Sequence, residues 1–221
     1  MFLGGTGNDT IAASMAGANI GIMGNFDATN SIETISAAGF ANVKVWGDDN
    51  GNRLDFSNTN LVGIESVNGG DGNDTITGGG WADPKLNGGN GDDRFFIDAS
   101  ALLIPATDIV GGAGSDRVSL SGASPLSIAD LVGSMTQIER IDFGAPGVAA
   151  NLLGFTGADA LAILGRSAST GNVLTLDLDL GGDDSFSAVS NASHTANDLG
   201  SGMFQFIDNA TSQEVARISV I

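Results

Sequence analysis

The sequence predicts an all-β protein: a short parallel β-solenoid closed by an antiparallel β ending with one or two short helices. Three observations carry this. A glycine-rich nonapeptide recurs in frame, its copies lie one solenoid coil apart, and the last third of the chain switches to helix-like and hairpin-like patterns.

The nonapeptide comes first. Residues 69–77 read GGDGNDTIT, and 4–12 (GGTGNDTIA), 88–96 (GGNGDDRFF) and 111–119 (GGAGSDRVS) repeat its frame. All four fit Gly-Gly-x-Gly-x-Asp-x-U-x, where U is a large apolar residue: Ile11, Ile76, Phe95 and Val118. Glycine gives up the most freedom on folding, so it is kept where φ is positive or backbone approaches something closely. Each copy therefore reads as a tight turn followed by a short strand with U pointing inward.

The spacing gives the coil. Asp74 to Asp93 is 19 residues and Asp93 to Asp116 is 23. Asp9 to Asp27 is 18, with IMGNFD (22–27) as a worn copy of the turn. Such steps are two nonapeptides, one full coil. The half-coil GGGWADPKL (78–86) keeps its glycines and Asp83. A second repeat, Ile-Glu-x-(Ile/Val), occurs in SIETISAAG (31–39), GIESVNGG (63–70) and QIERIDFG (137–144) with strand-like alternation. Residues 31–68 are then coils without glycine turns, with strands at VKVWG (43–47) and RLDFS (53–57).

The solenoid is expected over 1–122 and a capping region over 123–221. SPLSIADLVGSM (124–135) and GADALAILG (157–165) have short helix-like spacing, and NVLTLDLDL (172–180) alternates as a half-buried strand. SNASHTANDLGSG (190–202) reads as a polar loop. GMFQFIDN (202–209) and EVARISVI (214–221) form an antiparallel pair that covers the open end.

Composition narrows function. The 221 residues carry 8 Lys+Arg against 26 Asp+Glu, a net charge of −18. That sign argues against nucleic acid and anionic membrane surfaces as partners. Only four of the acids are Glu (Glu33, Glu65, Glu139, Glu214). The short arm of Asp suits turns, where it bonds its own backbone or holds a cation. There is no Cys, so neither disulfides nor thiolates contribute. No apolar run approaches the ~20 residues that span a bilayer, and MFLGGTGNDT has neither a basic start nor an apolar core of a signal peptide.

The four nonapeptides resemble the RTX (repeats-in-toxin) family of calcium-binding secreted proteins, including hemolysin-type proteins and large RTX adhesins. The resemblance is specific over 69–119 and at 4–12, and weaker elsewhere. It implies a right-handed parallel β-roll with Ca²⁺ held between stacked turns. Asp at the sixth position gives side-chain oxygen and the glycine segment gives carbonyls. Carried over, the expected ligands are Asp74, Asp93 and Asp116 with the turn residues Gly69, Gly70, Asp71, Gly72, Gly88, Gly89, Asn90, Gly91, Gly111, Gly112, Ala113 and Gly114. Asp9 is an outlying ligand whose same-side partner is the degenerate turn at Asp27. Asp93 is expected to serve two ions, while Asp71 and Asp92, at variable positions, offer no side chain to either.

Physical chemistry agrees with such a site. Ca²⁺ takes about 6–8 oxygens from carboxylates and carbonyls, and stacked Asp side chains repel one another until neutralised. Some turns depart from the pattern. In DDNGNRLDF (48–56) Arg53 is expected about where a ligand Asp would stand, its guanidinium replacing the ion. LGGDDSFS (180–187) lacks the third glycine and leaves calcium there open. His194, the single histidine, sits beside Ser193 without a nucleophile elbow or oxyanion turn, and reads as a loop residue. Trp46 and Trp81 are candidates for stacking on sugars, or for covering apolar core.

The expected function is a non-enzymatic, calcium-folded module of a secreted or cell-surface RTX protein of adhesin, surface-layer or matrix type. Cell-surface glycans or identical modules are its candidate partners. RTX proteins leave by type I secretion, unfolded, with an uncleaved C-terminal signal, which suits a chain without Cys. Two alternatives stay open: the calcium-binding C-terminal portion of a type I-secreted protease, lipase or polysaccharide-modifying enzyme, and a carbohydrate-binding solenoid.

Overall fold

The computed structural model describes residues 2–78, 84–103, 108–122, 125–143, 149–165, 174–179 and 185–220. Trp81 and Asp83 of the half-coil 78–86, and the turn at 181–184, lie outside the described residues.

Strands dominate, helices are few, and the larger sheets are mainly parallel. Successive strands alternate between two of them. One sheet stacks Asn19–Gly21, Lys44–Trp46, Ser66–Asp71, Lys85–Asn90, Ile109–Ala113 and Met135–Thr136, all parallel. The other stacks Arg53–Asp55, Thr75–Thr77, Arg94–Asp98, Arg117–Ser121, Arg140–Asp142, Leu174–Asp179 and Glu214–Val220. The parallel ladder crosses position 122, because Arg140–Asp142 pairs directly with Arg117–Ser121.

Alternation makes the core. The register aligns Leu54, Ile76, Phe95, Val118, Ile141 and Leu178 in one row, each fully buried. The other sheet aligns Ile20, Val45, Val67, Leu86, Ile109 and Met135, also buried, and both rows belong to one apolar cluster. The U residues Ile76, Phe95 and Val118 thus point inward as the period-2 pattern requires, while Ile11 is partly buried against the core.

Two smaller parallel sheets add a further side at each end. Thr10–Ala12, Thr34–Ser36 and Asn60–Val62 form one. Pro125–Ser127, Ala149–Phe155 and Ser185–Ala188 form the other. The two predicted helices are present, Ile128–Ser134 and Gly157–Ile163. Each starts on a hydroxyl and an acid three residues on. Thr156 Oγ1 donates to Asp159 Oδ2 (2.6 Å) and Ser127 Oγ donates to Asp130 Oδ2 (2.6 Å).

The C-terminal end is antiparallel, as expected, but has one more strand than the sequence suggested. Glu214–Val220 pairs antiparallel with Met203–Asp208, which pairs antiparallel with His194–Gly200. The segment 190–202 is therefore no polar loop. Ser201 and Gly202, both at positive φ (54° and 76°), make the tight two-residue connection that suits a hairpin. His194 is buried, not loop-exposed: its ring packs where a Cβ on Gly157 would stand, beside Phe206.

Candidate metal centre

The glycine turns lie at one corner, where the chain passes from the six-stranded sheet to the nine-stranded one. Gly69–Asp71, Gly88–Asn90 and Gly111–Ala113 end their strands, in register: Gly70 aligns with Gly89, and Gly89 with Gly112. Gly72, Gly91 and Gly114 make the bend. Asp74, Asp93 and Asp116 each precede the next strand and stack in one column.

The glycines are required for two different reasons. At the second and fourth positions φ is positive, from 97° at Gly72 to 145° at Gly114, which L side chains rarely adopt. At the first position the obstacle is space. A Cβ on Gly69 would strike Asp74 Oδ2 and the Gly88 carbonyl oxygen. One on Gly88 would strike Asp93 Oδ2 and the Gly111 carbonyl, and one on Gly111 would strike Asp116 Oδ2 and the Gln137 carbonyl. Each turn therefore keeps a small cradle where a carboxylate oxygen and a carbonyl oxygen from the next turn converge.

The aspartates are tied by a regular ladder. The Asn52 N–H donates to Asp74 Oδ1 (2.7 Å), Asp74 N–H to Asp93 Oδ1 (2.8 Å), and Asp93 N–H to Asp116 Oδ1 (2.8 Å). The Asp116 N–H donates to Glu139 Oε2 (2.8 Å). This fixes each Oδ1. The Oδ2 atoms of Asp74, Asp93 and Asp116 are buried with no hydrogen-bond partner among the described residues. The three residues are at most 2% exposed. An ionised oxygen so placed is costly unless something positive meets it.

The acidities register that cost. Burial pushes the Asp93 carboxyl up to about 7; the Asp74 N–H opposes this, and the charges of Asp116, Asp74 and Asp92 add to it. Burial likewise raises Asp74 to about 6, against the Asn52 N–H and with Asp48 and Asp71 adding. Asp116 is raised to about 6, mainly by burial and then by Glu139 and Asp92, against the Asp93 N–H.

The fifth position has its own ladder, running the opposite way. The Asp92 N–H donates to Asn73 Oδ1 (2.9 Å), and the Ser115 N–H to Asp92 Oδ1 (2.8 Å). Asp92 is thus a turn-to-turn link, not an idle surface acid. Asp71 accepts from Asn90 Nδ2 (2.7 Å) on the exposed side.

Two readings of the sequence change. Arg53 does not stand at the ligand position: it aligns with Thr75, so Asn52 aligns with Asp74. Arg53 is half-exposed and pairs with Asp27 (2.8 Å) and Asp55 (2.7 Å). Asn52 serves itself, taking the Asp48 N–H on Oδ1 (2.8 Å) and giving Nδ2 to Asp48 Oδ1 (3.0 Å). Asp27 is not the partner of Asp9 but caps the 3-10 turn Ala28–Asn30. The neighbour of Asp9 is Glu33, whose Oε2 takes the Asp9 N–H (2.7 Å), at a separate corner with Ser31 O facing Gly4. Asp9 Oδ2 is also buried, with no hydrogen-bond partner among the described residues.

Glu33 and Glu139 therefore continue the aspartate pattern, a role the sequence reading missed. The signal was present: Glu139 follows Asp116 by 23 residues, the step from Asp93 to Asp116. Among the described residues no three His, Cys, Asp or Glu side chains converge as a metal cluster. Each cradle instead offers a carboxylate oxygen and a carbonyl oxygen of the next turn, an all-oxygen pair of the kind a hard cation takes. No family model, curated protein or solved structure matches this chain.

Proposed function

We propose that the chain is a calcium-dependent structural module of RTX type, a parallel β-roll that folds on calcium outside the cell and belongs to a secreted or surface protein of adhesin, surface-layer or matrix kind. The single observation that carries this is the column of Asp74, Asp93 and Asp116, each with a buried, unpartnered Oδ2 aimed at a carbonyl of the next turn. The donors would be those carboxylates with the Gly88, Gly111 and Gln137 carbonyls, and Asp9 with Ser31 would form a separate site. Bound there, calcium would neutralise oxygens whose charge burial disfavours. The chain's own part is rigid placement: glycines leave the cradle open, and the Oδ1 ladder fixes each carboxylate. No catalytic role is assigned.

Circular dichroism and melting temperature test the reading. In chelator the repeat region is expected to lose β signal, and to regain it in calcium with affinity of about 10⁻⁴–10⁻³ M per site. Identical spectra and melting temperatures in both conditions would refute it.

A further inference from the structure

We propose that the outer face of the six-stranded sheet binds an uncharged oligosaccharide, stacked on Trp46. Trp46 is 41% exposed while its strand neighbour Val45 is fully buried, so the indole stands on the outer face by alternation. The register places Trp46, Asn68, Asn87 and Val110 in one row on four adjacent strands. That row lies in an open groove of about 500 Å³, within the size range of ligand sites. Asp71 and Asn90 flank it, already paired through Asn90 Nδ2, and Gln137 stands farther along.

The chemistry selects the ligand. A pyranose has an apolar C–H face and a rim of hydroxyls that donate and accept. A rigid indole suits the face, and amides beside a carboxylate suit the rim. Neighbouring strands lie about 4.8 Å apart, so Asn87 and the deeper Asn68, whose Nδ2 already donates to Ser66 Oγ (3.1 Å), form a periodic rail along the stack, which fits a periodic polymer. Among the described residues no Lys or Arg lines the groove, whereas Asp49 and Asp71 do. With a net charge of −18, the groove disfavours anionic chains. The groove borders the calcium turns, sharing Asp71, Asn90 and Gln137 with them, but the sugar contacts rest on Trp46 and the Asn68–Asn87 row, which hold no ion in that reading.

The test uses the full chain in saturating calcium with Trp81→Phe, which leaves Trp46 as the only indole. Cellohexaose, mannohexaose and maltohexaose are titrated against Trp46 fluorescence and by calorimetry, with polygalacturonate and a lysine-rich peptide as charged comparators. At least one neutral hexasaccharide is expected to shift the fluorescence saturably. In calorimetry on the full chain, Trp46→Ala is expected to weaken that binding at least about tenfold, and Asn87→Ala to weaken it measurably, with calcium uptake and circular dichroism unchanged. Absence of binding by all three neutral sugars would overturn the proposal. So would unchanged affinity in Trp46→Ala, or binding confined to either charged probe. Because calcium uptake is read on the same samples, failure of the groove and failure of the calcium sites give different results.

Discussion

Asp93 stands between Asp74 and Asp116 and does two things at once: its Oδ1 takes the Asp74 N–H, and its Oδ2 faces the Gly88–Gly111 cradle. Asp93→Ala should therefore lose one cradle and leave a buried N–H without an acceptor, a cost of about 1–3 kcal/mol before any ion is counted. Asp71→Ala removes only an exposed amide contact and should stay within about 0.5 kcal/mol. Asp92→Ala should fall between, since it frees the Ser115 N–H on the exposed side. Asn52→Asp makes the converse change. Asn52 Oδ1 and the Gly69 carbonyl already flank the position of a Cβ on Gly47, as in the aspartate cradles. A carboxylate there should add one bound calcium and, in chelator, destabilise the fold by repulsion from Asp48. Calorimetric stoichiometry across the four variants checks this. Equal calcium loss in the three alanine variants, or no gain in Asn52→Asp, would break the register on which the column is built.

At the scale of turns and strands, the first glycine of a turn differs from a glycine that merely tolerates its place. Gly88→Ala drives a Cβ into Asp93 Oδ2 and the Gly111 carbonyl and should cost about 1–3 kcal/mol. Gly133, exposed in the helix Ile128–Ser134, has open space around a Cβ, so Gly133→Ala should stabilise by about 0.5–1 kcal/mol. Chemical denaturation in calcium reads both, and a harmless Gly88→Ala would mean the cradle is not shaped as described. The same contrast shows what the sequence revealed. Gly-Gly-x-Gly-x-Asp fixed turn, strand and inward residue together, because φ, space and burial all act within nine residues; Phe95, Ile76 and Val118 align accordingly. What was missed depended on register between coils. Asn52 was passed over for Arg53 because a one-residue offset in a loop cannot be read without the facing strand. Glu139 and Glu33 were hidden by a longer side chain doing an aspartate's work. His194–Gly200 reads as loop because its burial does not follow polarity, with His194 buried and Leu199 exposed on an end strand, and its partner Met203–Asp208 supplies the pairing that propensity does not.

For the whole molecule, the deciding quantity is the balance between 26 acids and 8 Lys+Arg, part of it buried in one column. In calcium-free buffer, Asp74, Asp93 and Asp116 have folded-state pKa values above the ordinary carboxylate range, about 6, 7 and 6. The folded state thus holds protons that the unfolded chain has released. Their contribution to stability is complete below about pH 4 and is lost as pH rises through about 6–7. Asp27, Asp48, Asp98 and Asp208 act in the other direction. Hydrogen bonds, chiefly from Thr29, Asn50, Ser100 and Thr211, lower their pKa values, so they stabilise above the ordinary range and lose that as pH falls. The calcium-free protein should therefore melt highest near pH 4, fall as pH rises to about 7, and level off toward pH 8. Added calcium should lift the melting temperature most at pH 8 and least near pH 5, where protons compete for the same oxygens. Thermal melts across that range, with and without calcium, decide the matter: a calcium-free profile that rises steadily to pH 8, or a calcium increment equal at pH 5 and pH 8, would show that these buried carboxylates are neither the groups that limit the free fold nor the ones the ion meets.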